Sequence, residues 1–163
     1  MTHPSYPITA AIRYLRDKNV PFTPYLYSYE EHGGTAHAAE ELNLPEHQII
    51  KTLVMETESR KPLIVLMHGD REVSIKQLAR TLDVKRVTPC EPSIAQKHTG
   101  YLVGGTSPFG TRAPMPVYVE SSVMKLPALY INGGKRGFLV GITPDDLRSA
   151  LTVQEVNVAI AGG

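Results

Sequence analysis

Two spacings of hydrophobic residues alternate along the chain. Ile8, Ala11, Ile12 and Leu15 recur at helical intervals, so residues 7–18 read as an amphipathic helix with Arg13, Arg16 and Lys18 facing outward. Asn19 and Pro21 stop it. Residues 22–29 read as a strand with Tyr25, Tyr27 and Tyr29 on one face, and Gly33-Gly34 turns the chain. Thr35 is placed to cap a short helix through Leu42, which Asn43 and Pro45 end. Residues 49–54 form an apolar, strand-like run broken by Lys51, and residues 63–67 a second run expected to be fully buried. The polar stretch 56–62 between them reads as a hairpin connection.

Ser74 and Gln77 have the spacing of a capping box, opening a helix whose buried stripe is Ile75, Leu78, Ala79 and Leu82. Pro92 opens a further helix that ends near Gly100. Residues 117–119, 129–131 and 137–142 look like strands. The last helix has Thr143 as N-cap, Pro144 first, Asp146 third, and an Ile142–Leu147 staple. Strands interleaved with helices predict a mixed α/β fold, a mixed sheet flanked by helices. No repeat or linker divides residues 1–163, so a single domain is expected, with 158–163 as a frayed tail.

Composition narrows the function. The 163 residues carry a net charge of +1, so any contact with nucleic acid must use a local patch. The lone Cys90 forms no internal disulfide and is read as a small buried residue. With no signal-peptide core and no apolar run of bilayer length, the cytoplasm is the expected compartment and no membrane partner is expected.

Candidate chemistry concentrates in a loop, residues 99–110, with four glycines and Pro108. Glycine permits backbone shapes and close approaches that a Cβ forbids. The loop is either a tight corner or a cradle whose amides at Gly104, Gly105, Thr106 and Ser107 face a carbonyl, an oxyanion or a phosphate. A second cluster, Gly133-Gly134-Lys135-Arg136-Gly137, sets two cations on permissive backbone without Walker spacing. It is a solvated corner or part of a site. Lys51 in its apolar strand must reach water or an anionic partner; it either snorkels at an edge or is aimed at a phosphate or carbonyl, with Thr52 beside it. Lys97, His98 and Arg112 extend a basic rim. The histidines, among them His32, His37, His47, His68 and His98, follow no ligand spacing, so neither metal nor cofactor is expected. Ser74 and Ser107 lack a nucleophile elbow.

The motif at Thr99 to Gly105 with Ser107-Pro108 and Gly110, followed by Tyr130 and the 133–137 cluster, closely resembles the YbaK/EbsC family of aminoacyl-tRNA deacylases, relatives of the editing insertion of bacterial prolyl-tRNA synthetases. Tyr29-Glu30, residues 50–53 and residues 83–96 extend the resemblance over nearly the whole chain. It implies a mixed, partly barrel-like sheet and hydrolysis of mischarged tRNA in trans, without metal or cofactor. It implies that Lys51 is the essential side chain, that the Gly104-to-Pro108 loop holds the aminoacyl ester by its backbone, and that Tyr29 lies near the substrate. It assigns Lys51, Gly104 and Gly105 to catalysis. Tyr29, Thr52, Thr106, Ser107, Pro108, Asn132, Gly133, Gly134, Lys135 and Arg136 fall to substrate binding. An activated ester needs orientation and oxyanion stabilisation more than a protein nucleophile, consistent with a lone lysine and no triad. Cys-tRNA(Pro) is the implied substrate and a prolyl-tRNA synthetase a candidate partner. Asn132 stands where the cysteine-specific branch has serine, and Leu139 where it has an acid. A relative clearing Ala, Ser or Thr is the alternative; a non-catalytic module binding tRNA or a synthetase is the competing class.

Overall fold

A computed structural model describes residues 5–162. The chain runs α1 (Ala10–Asp17), β1 (Thr23–Leu26), α2 (Gly34–Leu42), β2 (Ile49–Thr57), β3 (Pro62–His68) and β4 (Arg71–Val73). There follow α3 (Ile75–Leu82), β5 (Val87–Pro89), α4 (Pro92–Thr99), β6 (Val117–Glu120), β7 (Leu129–Lys135) and β8 (Phe138–Ile142). The last elements are α5 (Pro144–Ala150), β9 (Val153–Val156) and β10 (Ala159–Ala161). One mixed sheet has the order β1-β8-β7-β2-β3-β6-β9 with β5 also on β2, and β10 pairs with β4 in a separate ribbon. The sheet is mixed as expected; its path ends at β1 and β9 and closes into no barrel.

β3 is the spine. Ile64 and Leu66 enter one apolar cluster with α1 and α5; Leu63, Val65 and Met67 enter another with α3. A strand covered on both faces reads as a continuous apolar run, which is why its sequence does not alternate. Helix α5 has both arms of its Thr143–Asp146 capping box.

Several boundaries differ from the sequence reading. Helix α1 starts at Ala10 because Thr9 caps it by accepting from Ile12 N, which leaves Ile8 outside, half exposed. Strand β1 is four residues, not eight; beyond it Tyr27 N still donates to Gly137 O, and the chain then leaves the sheet. Thr35 caps nothing: its hydroxyl donates to the Glu46 carboxylate, and α2 begins one residue earlier. Only one arm of the Ser74 box forms, because Ser74 N is committed to Val158 O. The glycines at 133 and 134 lie within β7 at an irregularity between Asn132 and Lys135, so the turn is confined to Arg136 and Gly137. Residues 159–161 do not fray: they are β10.

Candidate active site

Strand β2 changes neighbours along one edge. β7 runs parallel to it only at Ile49 and Ile50, and β5 takes up the edge from Met55 onward. Lys51, Thr52 and Leu53 face no strand there, and a cleft of about 670 Å³ opens beside them.

Of the residues singled out in the sequence, Tyr29, Lys51, Thr52, Gly104, Thr106, Asn132 and Arg136 line this cleft. Gly105, Ser107, Pro108, Gly133, Gly134 and Lys135 do not. Ser107 is fully buried, its hydroxyl accepting from Phe109 N at 3.2 Å, so it shapes the loop from beneath. A Cβ on Gly105 would lie 2.8 Å from Arg136 N, so this glycine permits the close contact between the two glycine motifs. Its N–H is already given to Leu102 O. Of the four amides expected to form the cradle, only those of Gly104 and Thr106 both lack a partner among the described residues and belong to residues that line the cleft. Gly134, at φ +101°, turns where a side chain would strike Tyr101 and Thr9.

The two motifs are stapled by side chains. Asn132 Nδ2 donates to Gly104 O at 3.1 Å, while its Oδ1 accepts from Gly134 N at 2.7 Å and Lys135 N at 3.1 Å. Arg136 Nε donates to Val103 O at 2.9 Å, and its guanidinium lies 5.1 Å from the centre of the Tyr29 ring. Tyr29 in turn sits on Gly104, where a Cβ would lie 2.7 Å from its hydroxyl. The departure at Asn132 thus builds the loop as well as bordering the cleft.

Lys51 has a partner that the sequence reading did not find. Its ammonium donates to Arg71 O and stands 3.6 Å from Glu72 Oε1, both on β4. Nothing local announces this pairing, because β4 is three residues long and Glu72 looks like surface. Thr52 Oγ1 is buried without a hydrogen-bond partner, alone in this among the described residues.

Of the other candidates, His32 and His37 line the cleft, and His47 and His68 do not. His47, His68 and Asp70 come within 4.8 Å of one another, a cluster with no sequence signature. The two rings stack at 3.7 Å and 6°, so no ion can lie in both ring planes. His68 Nδ1 meets His47 O and its Nε2 meets the Ser122 hydroxyl, and burial pushes its pKa down. Cys90 lies half-buried in the cleft wall, where burial and neighbouring Glu56 push its thiol up to about 11. It is held protonated at neutral pH and is a poor nucleophile. Lys97, His98 and Arg112 do not reach the cleft. A basic groove does adjoin it: Lys76, Arg80, Lys85 and Arg86 surround a depression that shares Ile75 with the cleft.

Residues 30–150 match the family model of the aminoacyl-tRNA editing domain, and the chain belongs to that family, whose members hydrolyse the aminoacyl ester. It is 29% identical over 142 residues, 86% of this chain and 87% of the other, to a protein of Enterococcus faecalis named as a candidate Cys-tRNA(Pro)/Cys-tRNA(Cys) deacylase, EbsC. It is 26% identical over 105 residues, 62% of this chain, to 18% of the longer proline–tRNA ligase of Limosilactobacillus reuteri. Its fold superposes with a TM-score of 0.84 on a crystal structure titled as a candidate trans-editing enzyme for prolyl-tRNA synthetase, at 20% identity over 96% of this chain and all of that one. No helix among the described residues is long and apolar enough to cross a membrane.

Proposed function

We propose that this chain is a trans-acting deacylase of mischarged tRNA(Pro), with Cys-tRNA(Pro) its preferred substrate, working in the cytoplasm alongside a prolyl-tRNA synthetase. The observation that carries the reading is Lys51 on the unpaired edge of β2, in one cleft with Gly104 and Thr106, whose amides bond to no described residue. One N–H of the ammonium is given to Arg71 O and one side faces Glu72; the remaining proton is left for the ester carbonyl or a ribose oxygen. Both donor groups then stabilise the developing oxyanion as a water, activated by the substrate's own hydroxyl or thiol, adds to the ester carbonyl; the acyl–oxygen bond breaks and the ribose oxygen leaves with the proton. The protonated Cys90 thiol agrees with that division of labour.

Ala38, Ile49 and Leu139 give the cleft an apolar wall, suited to a small uncharged side chain. Leu139, in place of an acid, favours Ala-tRNA(Pro) as the second reading. The four cations of the adjoining groove suit the phosphates of an acceptor stem entering over Ile75.

The test is a deacylation panel with tRNA(Pro) charged in turn with Cys, Ala, Ser, Thr and Pro. Fastest release of Cys is the expected result. Fastest release of Ala makes the second reading correct. Binding of every substrate with release of none makes the chain a non-catalytic tRNA module.

A further inference from the structure

Resting on the reading of Lys51 as the working cation, we infer that the C-terminal strand β10 and the buried carboxylate of Glu120 are positioning elements of the active site. Both connections are physical and continuous. Glu120, at the end of β6, is 6% exposed, and its Oε1 accepts from Val158 N at 2.7 Å and Ala159 N at 3.0 Å. These bonds fix the start of β10 in space. Strand β10 pairs antiparallel with β4 so that Ile160 lies opposite Glu72 and Ala161 opposite Arg71. Those two β4 residues are the ones that hold the Lys51 ammonium, through the Arg71 carbonyl and the Glu72 carboxylate. Ser74 N to Val158 O closes the ribbon at the same end, beside the Glu120 bonds.

β4 needs this support. It has three residues and no place in the main sheet, so apart from β10 it is held only by its packing beside β3, the Val73 side chain and the Lys51 contacts themselves. A lysine has four rotatable bonds, and its reach into a cleft is set by whatever grips its end. The grip here is a carbonyl and a carboxylate whose location is dictated from Glu120, which does not line the cleft. Residues 158–161 lie beyond the segment that the family model matches, so the family motifs do not disclose the device.

The experiment compares single-turnover deacylation of Cys-tRNA(Pro), with its tRNA concentration dependence, in wild type, Glu72→Ala, Glu120→Ala, Glu120→Gln, Ile160→Pro and the Glu72→Ala/Glu120→Ala double variant. Misplacement of a reacting group by about 1 Å costs up to roughly 100-fold. Glu72→Ala and Glu120→Ala are therefore expected to slow the chemical step about 10- to 100-fold while half-saturation by tRNA stays unchanged. Glu120→Gln keeps a carbonyl oxygen for both amides and restores the rate. Ile160→Pro, at a half-exposed side chain, loosens the ribbon without touching the core and slows the step like Glu120→Ala. The double variant is no slower than the worse single, because both losses pass through Lys51; independent structural damage would instead add. Amide exchange of residues 71–73 and 158–161, accelerated in Glu120→Ala but not in Glu120→Gln, reports the ribbon without any reference to activity. Wild-type rates in Glu120→Ala and Ile160→Pro, or additive losses in the double variant, overturn the inference and leave the deacylase reading standing. Wild type inactive on every charged tRNA sinks that reading instead, and unchanged exchange in Glu120→Ala then sinks the ribbon argument as well.

Discussion

Asn132 makes three hydrogen bonds that join the two glycine motifs, and its removal is the sharpest test of how the cleft is built. A neutral hydrogen bond contributes about 0.5–1.5 kcal/mol net, less where water can replace the partner. Gly104 O is at the surface and Gly134 N half-buried, so Asn132→Ala should cost about 2 kcal/mol, roughly 4–8 °C in melting temperature for a chain of this size. Asn132→Asp divides the three bonds. A carboxylate oxygen still accepts from Gly134 N and Lys135 N, preserving the irregularity in β7, but the other oxygen faces Gly104 O where a donor had been. The aspartate should therefore be nearly as stable as wild type in urea, yet push Gly104 and its free amide away from the cleft. Single-turnover deacylation should fall about 100-fold in Asn132→Asp, the scale of one lost oxyanion donor. Asn132→Asp within twofold of wild type would refute the claim that this side chain sets the cradle. So would an alanine variant that loses stability but no rate.

Four further outcomes follow from the same geometry. Lys51→Ala should abolish deacylation and leave the far-ultraviolet spectrum unchanged; wild-type turnover in that variant removes Lys51 from the mechanism. Gly105→Ala forces a methyl against the Lys135–Arg136 backbone and should cost about 1–3 kcal/mol and most of the rate, whereas Ser107→Ala leaves a buried Phe109 N–H unpaired and should cost about 1–3 kcal/mol with the rate largely kept; a larger rate loss in Ser107→Ala reverses the assignment. Cys90→Ser should turn over normally, because a thiol at about 11 is not the nucleophile; loss of turnover at unchanged melting temperature would bring back a covalent mechanism. His68, with its pKa lowered by burial, binds its proton less readily folded than unfolded, so its contribution is present above the unfolded value near 6.5 and is lost as pH falls from there towards the folded value. The slope is at most about 1.4 kcal/mol per pH unit, and His68→Gln should flatten the melting temperature between pH 7 and 5.5; an equally steep profile refutes it.

The cleft's main features were legible where a residue contradicts its surroundings. An ammonium inside an apolar strand is such a contradiction, and so are the paired glycines of the two motifs; of these residues Lys51 and Gly104 line the cleft. Ser107 misled because a hydroxyl in a glycine-proline loop looks the same in sequence whether it faces out or in. The fully buried position of Phe109 decides its direction, and burial at a single loop residue has no period to read. Glu72 and Glu120 were invisible for another reason: each acts across the chain, Glu72 on a lysine 21 residues earlier and Glu120 on amides 38 and 39 residues later. The sequence Ala159-Ile160-Ala161 reads as a fraying end because its strand character is conferred by Glu120 and β4, not by its own side chains.

The interrupted edge of β2 means that the opening is measured in strand pairs. β7 lets go after Ile50 and β5 begins at Met55, so the mouth of the cleft is the length of backbone between two ladders. Each residue of a strand advances about 3.3 Å. One more pair contributed by either neighbour would narrow the aperture by that step, and one fewer would widen it, with no change in the side chains beside it. The width of the cleft is in this sense gauged by hydrogen-bond count along a single strand, a quantity that shifts in whole units.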